Sequence, residues 1–324
     1  MLNNDEIRNA GSIVIMGHKN LDGDALGSML AMGHFCKNEF GKEPVLAFEG
    51  VIPDNLRFMS NGWWLKKAEG IKGCVFDLAI LVDVADDDRQ LDDEARAVFK
   101  NAKRKIKIDH HINSAENADA NIIAAAGATA EIIAGIAEEN GWKITPKIAE
   151  FLYAGIYTDT GGFTFDYTSP NTMRQAARIM EEGKLNHADI VRKIGQKARE
   201  TFRNNIETLS RALFTDDGRI GYVAFSVKKT NDGDRPHRET AWLHQQILSV
   251  KDVEASATFK EVDDGKILVG IRSKTKPING FVAGFGGGGH LMAAGFEMEG
   301  TLAQAVVDII PKLQAFINKR TEYD

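Results

Sequence analysis

Cysteine is nearly absent: Cys36 and Cys74 are the only two in 324 residues, too few for a disulfide framework. Cys36 falls in a helical pattern and Cys74 at the start of a strand, so both read as free buried thiols in a reducing compartment. Long apolar runs are missing too. Stretches such as Cys74–Ala85 are short and interrupted by Asp77 and Asp83, so no membrane span fits. The opening MLNNDEIRNA has neither the basic nor the apolar region of a signal peptide, and a cytoplasmic protein is expected. Nor is there an excess of positive charge, since 40 Lys and Arg face 46 Asp and Glu, for a net charge of −6. That balance argues against a broad basic face for long double-stranded nucleic acid, but it leaves room for a small phosphorylated substrate. No internal repeat or low-complexity tract is seen.

What remains is ordinary for a globular protein, 43% hydrophobic and 27% charged, at a length that suits two domains. The chain is organised around Ser12–Ser28, SIVIMGHKNLDGDALGS. The β-branched run Ile13-Val14-Ile15 stops at Gly17-His18, a polar loop carries Asp22 and Asp24, and a helical pattern follows. This predicts a buried parallel strand, a loop at its C-terminal end and a returning helix, the place where open α/β sheets bind ligands. Asp24 could serve as no more than the helix N-cap, with His18 and Asp22 solvated.

Leu78–Val84 predicts a second buried strand ending in Asp83, and Lys105–Ile108 a third, ending in Asp109-His110-His111. Glu43–Phe48 reads as a short strand, and a helix runs to about Lys103. Helices are expected at Thr129–Glu139, closed by Asn140-Gly141, and from Thr145-Pro146 to Thr158-Asp159-Thr160-Gly161. Another begins at Ser169-Pro170. After Gly183 the alternation lapses, giving an expected domain over 1–185, a helical linker over 186–203 and a second domain over 204–324. There, strands are expected at Arg219–Val227, Ala255–Val262 and Lys266–Arg272, the last two joined at Asp263-Asp264-Gly265. Helices are expected at Thr240–Leu248 and Leu302–Ile317. The fold class is α/β, a parallel-sheet domain followed by a smaller mixed-sheet domain.

His18, Asp22, Asp24, Asp83, Asp109, His110, His111 and Asp159 all fall at strand or helix ends of the first half. Any one of them alone reads as a turn former, a cap or a satisfied polar residue. Together, imidazoles and carboxylates without thiolate suit Mn²⁺ or Mg²⁺ better than structural zinc. The number of ligands suits two ions about 3.5–4 Å apart sharing a carboxylate, an arrangement fitted to attack on phosphorus. His34, His187, His237 and His244 show no such grouping. In the second half, Gly286-Gly287-Gly288-Gly289-His290 needs a local reason, either amides approaching an anion or a bend between packed elements. A dinucleotide-binding fingerprint is rejected, because Asn279–Phe285 before it looks helical. Arg272-Ser273-Lys274 ends a strand and could grip phosphate.

His18-x-x-x-Asp22-x-Asp24, strand-terminal Asp83, Asp109-His110-His111 and Thr158-Asp159-Thr160-Gly161, in that order, resemble the four motifs of the DHH phosphoesterases. Arg272-Ser273-Lys274 and Gly286–His290 resemble the companion DHHA1 domain, so the likeness covers nearly the whole chain. The compact two-domain members are nanoRNases that also dephosphorylate 3′-phosphoadenosine 5′-phosphate, and hydrolases of dinucleotides. The resemblance implies His18, Asp22 and Asp83 on one Mn²⁺ and Asp24, Asp83, His110 and Asp159 on the other, with Mg²⁺ or Co²⁺ as alternatives. It implies His111 facing the scissile phosphate and Asp109 orienting the histidine pair. His290, Gly286, Gly287, Gly288 and Gly289 would hold a terminal phosphate, with Arg272 and Ser273 contacting the nucleotide, in a cleft between the domains. The expected activity is hydrolysis of short 5′-phosphorylated oligonucleotides to mononucleotides. A cyclic dinucleotide phosphodiesterase, a pyrophosphatase or exopolyphosphatase, and a non-catalytic nucleotide sensor are the alternatives. A homodimer is left open.

Overall fold

The computed structural model describes residues 2–60, 65–227, 239–263 and 265–319, apart from the side chains of Arg89 and His290. The chain divides into two units, Met1–Gln196 and Lys197–Asp324.

The first unit is built on six parallel strands: β1 (Ile13–Met16), β2 (Val45–Phe48), β3 (Leu65–Lys67), β4 (Leu78–Val82), β5 (Arg104–Asp109) and β6 (Ala120–Ile123). Their order, β3-β2-β1-β4-β5-β6, reverses at the β1–β4 pair, and the carboxyl ends of strands at such a switch point are where ligands bind. The central strands are apolar throughout because both faces are covered. Ile13, Ile15, Ile80 and Ile106 face the helices Gly23–Phe40, Thr129–Asn140 and Pro146–Asp159. Val14, Met16, Ala79 and Leu81 face the other way, onto Val98 and Phe99 of the helix Asp93–Asn101.

Two glycines bring the helices Gly23–Phe40 and Pro146–Asp159 into close contact. A β-carbon at Gly27 would lie 2.5 Å from the Phe151 carbonyl, and one at Gly155 would lie 2.7 Å from Ala130 Cβ and 3.0 Å from Asp24 Oδ1. Larger residues at either point would push the backbones apart, and with them Asp24, at the start of the first helix, and Asp159, at the end of the second. Thr145 caps the second helix with Pro146 in its first turn, and Gly141 closes the preceding one at φ +67°.

The second unit holds β7 (Leu213–Phe214), β8 (Ile220–Ser226), β9 (Ala255–Asp263), β10 (Lys266–Ser273), β11 (Gly288–His290) and β12 (Ala293–Glu299), ordered β11-β12-β10-β9-β8-β7. Only β8 and β9 run parallel, so the sheet is mixed. Ala257, Phe259, Val269 and Ile271 pack under Ile309 and Leu313 of the helix Leu302–Asn318. On the opposite side, Val223 and Phe225 pack with Leu243 and Ile247 of the helix Thr240–Leu248.

Several expectations need correction. β3, β6, β7, β11 and β12 carry no strand signal that sequence patterning detects: β3 and β7 are three and two residues long, and β11 is mostly glycine. Cys36 is buried as expected, but Cys74 is exposed, lying in the turn before β4 rather than within the strand. The stretch 186–203 is helical, taking in His187–Gly195 and the start of Arg199–Leu209, and Ile190 of the first helix is part of the N-terminal core. Asp264, expected in the turn Asp263-Asp264-Gly265, and His237 lie outside the described residues. Among the described residues, no helix is long and apolar enough to cross a membrane.

Candidate metal centre and active site

The strand ends assemble one polar cluster. Beyond β1, His18 directs Nε2 to 3.5 Å from Asp22 Oδ2 and 3.6 Å from Asp83 Oδ2. The helix N-cap is Asp22, not Asp24: Asp22 Oδ1 accepts the amides of Asp24 and Ala25 at 3.0 Å each. That leaves its second oxygen turned toward His18. Asp24 sits inside the first turn and is buried; its Oδ1 and Oδ2 accept the Ala130 and Thr129 amides at 2.9 and 2.6 Å. The N-terminus of the helix Thr129–Asn140 thus grips this carboxylate, where both the dipole and unpaired amides favour an anion.

Asp83 follows β4 at φ +59°, in the left-handed region that non-glycine residues seldom adopt. There its oxygens face two ways. Oδ2 meets His18, while Oδ1 lies 3.7 Å from His110 Nε2 and 3.8 Å from His111 Nδ1 and accepts the Thr129 hydroxyl at 3.1 Å. His110 Nε2 is also 3.4 Å from Asp159 Oδ2, and its Nδ1 meets the Ala126 carbonyl at 3.2 Å. His111 Nδ1 pairs with Asp109 Oδ1 at 2.7 Å. Asp109 therefore orients His111, and the Ala126 carbonyl braces His110, a division that the motif alone does not show.

Three overlapping sets could each hold an ion: His18, Asp22 and Asp83; Asp24, His110 and Asp159; and Asp83, His110 and His111, with the ligand atoms of each set within 4.8 Å of one another. The electrostatics fit cations. Burial first, and then the charge of Asp83, lifts the Asp24 carboxyl to about 7. Burial and the charges of Asp24 and Asp83 push Asp159 well above the carboxylate range. Asp159 Oδ2 is buried and accepts no hydrogen bond from the described residues. His18 is lowered by burial, but bonding to Asp22 and Asp83 outweighs this and carries it to about 11. Carboxylates packed this closely without counter-charge resist ionisation, and divalent cations remove the conflict.

In the second unit, a pocket of about 540 Å³ opens on the sheet face under the helix Thr240–Leu248, with Arg272, Lys260, Thr258, His244 and Gly288 in its lining. Ser273 lies outside it. Its side chain is buried, and the hydroxyl accepts the Thr275 and Lys276 amides at 3.3 and 3.0 Å. Gly286, Gly287 and Gly289 are outside the lining as well. A β-carbon at Gly287 would collide with the Gly295 carbonyl, and Gly289, at φ +143°, would clash with the Ala293 carbonyl. Those two glycines let the run lie against β12, and close packing accounts for them. The His290 side chain lies outside the described residues. Sequence reasoning missed His244, buried with Nδ1 2.7 Å from Ser256 Oγ and Nε2 3.1 Å from Thr258 Oγ1. The alternating Ser256-x-Thr258 on β9 was the available signal.

Residues 12–156 match the family model described as "DHH family, N-terminal domain". A probable bifunctional oligoribonuclease and PAP phosphatase of Streptococcus mutans is 28% identical over 297 residues, covering 90% of this chain and 90% of the relative. The bifunctional oligoribonuclease and PAP phosphatase of Bacillus subtilis is 26% identical over 294 residues, 88% of each chain. The crystal structure of an exopolyphosphatase-related protein of Bacteroides fragilis superposes with a TM-score of 0.84 at 25% identity, covering 96% of this chain and 94% of that one. The matched segment carries His18, Asp22, Asp24, Asp83 and the Asp109-His110-His111 triplet on the strand ends described above, and the chain contains the N-terminal domain of the DHH family of phosphoesterases, as a hydrolase.

Proposed function

We propose that the chain is a cytoplasmic, Mn²⁺-dependent phosphodiesterase that cleaves short 5′-phosphorylated oligonucleotides to mononucleotides and also dephosphorylates 3′-phosphoadenosine 5′-phosphate. One observation carries the reading: the two oxygens of Asp83 face different ligand sets, Oδ2 toward His18 and Oδ1 toward His110. In this reading His18, Asp22 and Asp83 would hold one ion, and Asp24, Asp83, His110 and Asp159 the other. Mg²⁺ or Co²⁺ would serve with the same ligands. Such a pair of ions, when bound, activates water and neutralises charge on phosphoryl oxygens.

The chain's own groups do the rest. Asp109 accepts a hydrogen bond from His111 Nδ1 and fixes the ring, so that it is through Nε2 that His111 would meet a phosphoryl oxygen. The Thr129 hydroxyl and the Thr129 and Ala130 amides fix the Asp83 and Asp24 carboxylates before substrate arrives. The pocket with Arg272 and Lys260 has the size and charge for a nucleotide phosphate. The relatives named for oligoribonuclease and PAP phosphatase activity support this substrate class.

Time courses on five substrates test it: a 5′-phosphorylated dinucleotide, a longer oligonucleotide, a cyclic dinucleotide, 3′-phosphoadenosine 5′-phosphate and pyrophosphate, each with Mn²⁺. The linear dinucleotide should be turned over fastest, yielding mononucleotides. A preference for the cyclic dinucleotide, or hydrolysis of pyrophosphate alone, would contradict the reading.

A further inference from the structure

The helix Thr129–Asn140 begins without a side-chain cap, because its N-cap residue is Ala128. A Ser, Thr, Asp or Asn there would take one of the first amides for itself. Alanine leaves the Thr129 and Ala130 amides to a carboxylate from another helix, Asp24. The turn is closed instead by Glu131, the third residue of the helix, which reaches back across it. Glu131 is buried, and both of its oxygens accept hydrogen bonds. Oε2 takes the Gly127 amide at 2.8 Å and the Thr172 hydroxyl at 2.7 Å, and Oε1 takes Asn171 Nδ2 at 2.7 Å. Asn171 and Thr172 lie in the first turn of the helix Pro170–Glu182.

The Gly127 amide and the Ala126 carbonyl are two ends of one planar peptide group, so fixing one end fixes the other. That peptide is also wedged in place. A β-carbon on Gly127 would lie 2.7 Å from Thr172 Cγ2 and 3.1 Å from Thr160 Cγ2. The Ala126 carbonyl meets His110 Nδ1 at 3.2 Å. A carbonyl only accepts, so the contact puts the proton of a neutral His110 on Nδ1. The Nε2 lone pair is then directed at Asp83 and Asp159.

We propose that Glu131 is a positioning residue, which acts through the Ala126–Gly127 peptide to hold His110 in the tautomer and orientation that a metal ion requires. The inference rests on the reading of His110 as a ligand given above. Losing a hydrogen-bond partner behind a ligating histidine lowers metal affinity about ten- to a hundredfold, and one peptide further out the lower figure is expected. The effect comes from accepting hydrogen bonds rather than from charge. Glu131→Gln keeps an acceptor for Gly127 and Thr172, and Asn171 can turn its amide to offer its oxygen.

Calorimetric titration of the metal-free full chain with Mn²⁺ tests this without turnover. Glu131→Leu, which removes the acceptor, should weaken the ion that His110 holds by about tenfold. The ion at His18 and Asp22 should be unchanged, and Glu131→Gln should bind both as wild type does. In a His110→Ala background, adding Glu131→Leu should cost no further affinity, since the ring it positions is gone. Thermal melts report folding of each variant. Glu131→Asp keeps the charge but falls one methylene short of Gly127, and it carries the same expectations if the Leu variant does not fold. Unchanged affinity in the Leu and Asp variants, equal weakening of both ions, a Gln variant as weak as the Leu one, or an undiminished loss in the His110→Ala background would overturn the proposal. A His110→Ala protein that binds Mn²⁺ as wild type does would refute the ligand reading itself, and the positioning role with it.

Discussion

His110 and His111 are adjacent in sequence, their rings 4.5 Å apart, yet they are held by different groups and should fail differently. His110 points Nε2 at Asp83 and Asp159, so His110→Ala should lower Mn²⁺ occupancy, and excess Mn²⁺ should partly restore the rate. His111, tied to Asp109, should matter after the metals are in place. His111→Ala should therefore cost roughly 10²-fold in rate at full occupancy, the range for losing one aligned polar group in an active site. Rate against Mn²⁺ concentration for both variants checks this; identical profiles would refute the division. The same scale shows where sequence reading stops. The four motifs put all six metal candidates within one cluster, because a strand-terminal carboxylate or imidazole is visible as soon as the strand is. What decides between Asp22 and Asp24 as the N-cap is where the helix starts, a matter of two residues that the apolar spacing of Ala25, Leu26 and Met29 does not set.

Among the elements, β5 buries a lysine inside the sheet. Lys107 is fully buried; its Nζ meets Asp87 Oδ1 at 3.0 Å and the Ala115 carbonyl at 3.0 Å, and Asp87 also accepts Asn117 Nδ2 at 2.6 Å. The pair ties the loop after Asp83 to the loop after His111. Lys107→Met would leave a buried carboxylate without its cation and should destabilise the fold by about 3–5 kcal/mol. Adding Asp87→Leu should recover much of that, measured as denaturant unfolding of the single and double variants. In the second unit, His244 is held down by burial and by the charge of Arg272, from an ordinary 6.5 to about 3. The unfolded chain therefore takes up a proton that the folded one refuses between those values. The resulting stability is complete above about pH 6.5 and is lost as pH falls toward about 3. Wild type should lose up to about 1.4 kcal/mol per pH unit more than His244→Gln across that window. Parallel stability-against-pH curves would show that His244 titrates normally. Elements were legible where length and period were clear, as for the helices Thr129–Asn140 and Leu302–Asn318. The edge strands β3, β7 and β11 were not, since two or three residues carry no period and their pairing is fixed by tertiary neighbours.

At the scale of the whole molecule, the first unit supplies a ligand cluster at a sheet switch point, and the second a basic pocket on its own sheet face. The glycine run shows why the second was harder to read. A repeat of glycines signals close approach without saying to what, and here Gly287 and Gly289 meet strand backbone while Gly288 reaches the pocket. The account turns on Asp83 being shared between two ions, and counting bound Mn²⁺ by equilibrium dialysis tests it most directly. Wild type should bind two per chain, and a folded Asp83→Asn protein, with a neutral and weaker ligand at the shared position, should bind no more than one with comparable affinity. Two ions bound equally well by both proteins, or one ion bound by wild type, would contradict it.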